Sequence, residues 1–171
     1  MPERELIKRA DKKAFWGVPG EGEATFTRMR GFTELSGSKN PIEYSRQYVD
    51  EQFESTDVVG YSPSWSFAFD EFTNDAVLED IVDILDGEKL GTDAQREIVF
   101  VNFAKAVGEG FKAVKIKFAV IGDSEADGSE AYTYSGNLRI VGSRVDGVAT
   151  IQEGEDADSV QTITFAEGAA E

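Results

Sequence analysis

Carboxylates, lysines and tyrosines are the side chains from which acid–base or metal chemistry could be built here, because the 171-residue sequence contains neither histidine nor cysteine. The commonest general base and the commonest transition-metal ligand are therefore missing. A Ser-His-Asp triad, a Cys-His pair, a His-bearing zinc site and any disulfide are excluded. What remains is carboxylate chemistry, such as a hydrolase with two acids about 5–9.5 Å apart. No acid pair stands out for that role. Asp123-Ser-Glu-Ala-Asp127-Gly128 imitates the first half of a calcium loop, but its twelfth position is Tyr134 where a bidentate Glu is required. An acidic turn over residues 123–130 is the better reading, and the acids of residues 153–158 read as a second solvated hairpin loop rather than a weak Ca²⁺ site. The glycines at 17–22 and Gly108-Glu-Gly110 lack the strand–loop–helix setting and the Lys-Ser/Thr pair of a phosphate loop, so turn chemistry explains them. The sequence thus predicts no catalytic residue, no metal and no cofactor.

The elements that would position any site are mostly strands. Trp65, Phe67 and Phe69 repeat with period two, as in a strand with one buried face. Residues 25–35 alternate as well, interrupted by Gly31, and residues 97–103 form a near-continuous apolar run. In residues 111–121, Val114, Ile116, Phe118 and Val120 share one face, with Lys115 and Lys117 on the other. Further antiparallel strands are expected over 132–141, 145–151 and 160–165. One helix is predicted near 74–86, with Val77, Leu78, Ile81, Val82 and Leu85 as its apolar stripe. Glu79, Asp80, Asp83 and Asp86 fall on its polar side; Thr73, Asn74 or Asp75 can cap it, and Gly87 is expected to end it from the left-handed position. The fold class is mainly β: an antiparallel sandwich or barrel with one flanking helix. It forms a single domain over 1–171, with a polar arm at 1–13 and a short tail at 166–171.

Seventeen Lys and Arg against 33 Asp and Glu give a net charge of −16. Such a surface repels nucleic acid and anionic membranes, which bind through Lys and Arg. Simple solubility accounts for this charge, and so does a surface that must lie near DNA without holding it. No stretch approaches the ~20 apolar residues of a spanning helix, and the charged N-terminus lacks the apolar core of a signal peptide. Synthesis in the cytoplasm is the expectation.

Residues 37–62 show no strand or helix period, yet they carry Ile42, Tyr44, Tyr48, Val49, Phe53, Val58, Val59 and Tyr61. Loops of this length inside a compact domain are uncommon and usually functional. On a loop these apolar groups form an exposed patch, so the segment is read as protruding and packing against a partner. Lys115 and Lys117 could likewise meet acids of a neighbouring subunit, or could be the outward face of a half-buried strand.

The wording of this region, Ser45-Arg46-Gln47-Tyr48-Val49-Asp50-Glu51 and then Thr56-Asp57-Val58-Val59-Gly60-Tyr61-Ser62-Pro63-Ser64, resembles the tail tube (major tail) proteins of phages and prophages of Gram-positive bacteria. Tyr134-Ser-Gly-Asn-Leu-Arg-Ile and Thr162-Ile-Thr-Phe close the match. The resemblance implies a non-enzymatic subunit that self-assembles into hexameric rings, stacked as a tube. DNA passes through the lumen without specific binding, and the long loop reaches an adjacent ring. It further implies a virion tail assembled in the bacterial host cytoplasm, other tail proteins such as tape measure and tail terminator as partners, and no membrane. Tail-derived bacteriocins and the tube protein of type-six secretion share this fold. The alternative from another class is a monomeric β-sandwich module binding a ligand or carbohydrate.

Overall fold

The computed structural model describes residues 3–18, 25–126, 130–151 and 160–168. Eleven strands and one helix follow in the order β1 (Lys12–Trp16), β2 (Thr25–Arg28), β3 (Phe32–Ser38), β4 (Pro41–Arg46), β5 (Ser55–Tyr61), β6 (Ser64–Asp70), α1 (Ala76–Asp86), β7 (Gln95–Val107), β8 (Gly110–Glu125), β9 (Thr133–Ile140), β10 (Val145–Ile151) and β11 (Thr162–Glu167). Nine strands form one antiparallel sheet in the order β10-β11-β2-β1-β7-β8-β9-β6-β3, and β10 also pairs with β8. That extra pairing closes β10, β11, β2, β1, β7 and β8 into a six-stranded barrel. Of the expected sandwich or barrel, the protein forms a barrel with a three-stranded extension.

The long strand β8 makes the closure possible by changing partners along its length. Phe111 to Lys115 pair with β10, whereas Phe118 to Glu125 pair with β9. Strands β1, β7 and β8 consequently bury both faces. Phe15, Phe26, Val99, Val101, Ala113 and Ile163 fill the barrel. Trp16, Ile98 and Phe118 face outwards into a second core with Phe67 and Phe69 of β6 and Val77, Leu78, Ile81 and Ile84 of α1. Each fully buried side chain of this size contributes roughly 1.5–3 kcal/mol relative to exposure, so each layer is a core in its own right.

The helix lies where its stripe predicts, and Asp75 caps it by accepting from the amides of Val77 and Leu78. Its other end departs from expectation. Gly87 is right-handed, with φ −79°, and the left-handed residue is Glu88, with φ 46°. The Lys89 amide donates to the Ile84 carbonyl and the Glu88 amide to that of Leu85, so the Schellman turn is built one residue later. Asp80 is also not on the solvent side. It points inwards and binds Trp16 and Arg96.

Four further expectations are corrected. Residues 25–35 form two strands rather than one, parted at Gly31, whose φ of 80° breaks the extended chain. The N-terminal arm is shorter than 1–13, since Arg9–Asp11 is a 3₁₀ turn and Lys12 and Lys13 begin β1. Asp123, Ser124 and Glu125 belong to β8 rather than to an acidic turn; residues 127–129 and the acidic loop expected at 153–158 lie outside the described residues. Lastly, residues 37–62 are largely regular: β4 and β5 form an antiparallel hairpin, joined by the irregular stretch 47–54.

Candidate assembly surface

The chain β3–β4–β5–β6 is one long β-ribbon with a break. Ser38 pairs with Ser64 in its inner half, and Pro41 pairs with Tyr61 in its outer half. Asn40 holds the break. Its φ of 45° reverses the chain locally, which Asn tolerates better than most residues. Its side-chain Nδ2 donates to the Ser62 carbonyl at 3.1 Å and to Ser64 Oγ at 2.9 Å, and Ser38 Oγ donates to Asn40 Oδ1 at 2.8 Å. Sequence reasoning missed this residue, although the dipeptide Asn-Pro is a turn signal.

Beyond the break the hairpin stands apart. Among the described residues, strands β4 and β5 pair with each other and with no strand of the nine-stranded sheet. Ile42, Tyr44, Tyr48, Val49, Phe53, Val58, Val59 and Tyr61 are all exposed, Phe53 to 79%. The structure thus places the eight apolar residues singled out in the sequence on one hairpin and leaves each of them exposed. Arg46 organises one face of the hairpin. It ion-pairs with Asp57, donates from Nε to Tyr48 Oη at 2.8 Å, and lies 5.4 Å from the centre of the Tyr44 ring. These contacts raise its pKa, chiefly through the Asp57 and Tyr48 hydrogen bonds, so it stays charged. A hairpin of two strands is marginal on its own in water, and both of its long edges carry unpaired backbone groups.

The two lysines fall elsewhere. Lys115 has a partner within its own chain, with Nζ 3.7 Å from Glu97 Oε2 and 5.3 Å from the centre of the Phe165 ring. Lys117 is exposed on the same face and lies opposite Glu97 in register. Neither is near the hairpin in the pairing pattern.

Carboxylate chemistry finds little support. Asp86 and Glu125 share a groove beneath the end of α1, but each accepts a hydrogen bond from a tyrosine, Tyr134 and Tyr132 respectively. Asp83, hydrogen-bonded by Lys89, is shifted below the ordinary carboxyl range, opposite to what a general acid needs. Among the described residues no group of three or more acids could hold a metal ion.

No family model matches the sequence. No curated protein matches it either. Solved structures do match in fold. The tail of an empty gene transfer agent particle, refined with C6 symmetry, aligns over 81% of this chain and 97% of its own, with a TM-score of 0.60 and 14% identity. The virion of the native gene transfer agent aligns over the same shares at TM-score 0.56 and 14% identity. The SPP1 tail tube, from solid-state NMR and cryo-EM, covers 82% of this chain and 78% of its own at TM-score 0.57 and 17% identity. At such identities the likeness is one of fold.

Proposed function

We propose that this chain is a structural subunit that self-assembles through its hairpin into hexameric rings, stacked as a tail tube that conducts DNA. The observation that carries this reading is the uncovered hairpin on a closed barrel whose fold is like that of tail tube subunits. The six barrel strands are closed on one another, whereas the ribbon carries eight exposed apolar groups and two open edges, which makes it the surface best suited to association. If fully buried at an interface, each such group contributes roughly 1.5–3 kcal/mol. Several of them together outweigh the cost of ordering the hairpin. The net charge of −16 suits a channel through which DNA slides, because Lys and Arg contacts would retain it. Tape measure and tail terminator proteins are the further partners this reading implies.

Sedimentation and negative-stain electron microscopy at high concentration test it, comparing the parent with a variant lacking residues 44–59 and with Phe53→Glu. The parent should form rings or tubes, and both variants should remain folded but unassembled. A parent that stays monomeric, or variants that assemble like the parent, would overturn it.

A further inference from the structure

The outer face of β1, β7 and β8 carries an open groove of about 550 Å³ at the end away from α1. Its floor is apolar, with Leu35, Trp65, Phe100, Val114, Ile116 and Ile140. Its rim is basic, with Lys12, Lys13, Lys39, Lys105 and Lys112 beside Arg9 and Arg144, and no Asp or Glu among the described residues lines it. In a chain with almost twice as many acids as bases, that is a local inversion of charge. The strand register creates it by setting Lys12, Asn102 and Lys112 side by side. Arg144 is paired with Asp146, and Arg9 donates to the Leu35 carbonyl at 2.7 Å. Among the described residues Lys12, Lys39, Lys105 and Lys112 make no ion pair.

The hairpin has the opposite composition. Its acids are Glu43, Asp50, Glu51, Glu54 and Asp57, and its one base, Arg46, is already neutralised by Asp57. None of residues 41–61 lines this chain's own groove. We propose that the groove receives the hairpin of a second copy of this chain, with the apolar tip on the groove floor and Asp50, Glu51 and Glu54 against the rim lysines. This rests on the assembly reading above and supplies the surface that the hairpin meets. Because hairpin and groove are different patches of one molecule, the contact can run head-to-tail, and unless two copies exchange hairpins reciprocally it propagates into rings or filaments. Complementary rim charge steers the encounter and fixes its orientation, so assembly should weaken as salt shortens the Debye length.

Charge exchange in the full chain tests it. The groove variant is Lys12→Glu, Lys105→Glu and Lys112→Glu; the tip variant is Asp50→Lys, Glu51→Lys and Glu54→Lys. All six side chains are exposed, and circular dichroism checks that each variant is folded. A milder groove variant with Gln at the same three positions guards against misfolding and should fall between parent and reversal. Each reversal alone should raise the concentration needed for assembly about tenfold or more, since like charges then face each other. The variant combining both reversals, or an equal mixture of the two, should assemble near the parental concentration. A groove variant that assembles like the parent, or a combined variant no better than either reversal, overturns the proposal. If deleting the hairpin blocks assembly while the groove variant does not, the assembly reading stands and the groove assignment falls. If the groove instead captures duplex DNA, and the reversal abolishes only that binding, it is a polyanion site and the proposal is likewise overturned.

Discussion

The indole Nε1 of Trp16 donates to Asp80 Oδ2 at 2.7 Å, tying the first barrel strand to the helix. The same carboxylate takes two bonds from Arg96, Nε to Oδ2 at 2.8 Å and Nη2 to Oδ1 at 3.2 Å. Trp16 is fully buried, and the side chains of Asp80 and Arg96 are each almost nine-tenths buried. Asp80 therefore satisfies an indole and a guanidinium at the seam between the two cores.

Asp80→Ala leaves Arg96 buried without its counter-ion and the Trp16 donor without an acceptor. A loss of about 3 kcal/mol is expected, as for breaking other buried pairs. Urea denaturation followed by tryptophan fluorescence reads it. A loss under about 1 kcal/mol would mean the triad is solvated in solution.

Gly37 lies opposite Trp65 in register, and the indole covers it. A Cβ at Gly37 would sit 2.6 Å from the Trp65 ring, which itself stacks on Phe100 at 4.6 Å. Gly37→Ala must push the indole aside, at a cost of about 1–3 kcal/mol typical of overpacking. Thermal melts should show the loss, and near-ultraviolet circular dichroism should report the disturbed Trp65–Phe100 stack.

Asn40→Gly keeps the left-handed backbone and deletes only the side-chain clamp. Hydrogen exchange in the hairpin should accelerate while the melting temperature of the barrel hardly moves, because local openings are separable from global unfolding. Unchanged exchange would show that the Asn40 amide does not hold the ribbon.

Burial, and then the hydrogen bond to Asp86, push the Tyr134 phenol above its ordinary value. Its folded pKa is raised, so its contribution to stability is complete below the unfolded value of about 10 and is lost as pH rises through the folded one. Stability should decline in alkali above about pH 10, and Tyr134→Phe should flatten that decline. Ultraviolet titration of phenolate should show the Tyr134 step missing from the late end of the curve. A missing step near pH 10 would contradict the assignment.

Periodicity found the elements that bury one face and failed where burial was absent. Trp65, Phe67 and Phe69 announce β6, and Val114 to Val120 announce β8, because alternation in sequence records a core on one side. The hairpin is wet on both sides, so its residues alternate with nothing, and a regular β-structure reads as an irregular loop. The same holds for Asp123 to Glu125 at the exposed end of β8. The hairpin's apolar inventory was legible, whereas its strand pairing was not. Asp80 was misplaced because a carboxylate beside an apolar stripe looks solvated until its donors, 64 and 16 residues away, are folded against it. The groove was invisible for a related reason: Lys12, Lys105 and Lys112 come from three strands and meet only through register.

The covalent continuation of the hairpin, through the break at Asn40, into β3 and β6 has a mechanical consequence. Ladder bonds in an antiparallel sheet lie across the strands. Tension applied at the hairpin tip runs down β6 and is resisted by the whole β6–β9 ladder, from Ser64–Arg139 to Asp70–Thr133, loaded in shear rather than peeled one bond at a time. From β9 the load passes to β8 and so into the wall of the barrel. The ribbon is anchored as a tie-bar is anchored in masonry, and a chain of such subunits would be stiffest along the direction in which the ribbon points.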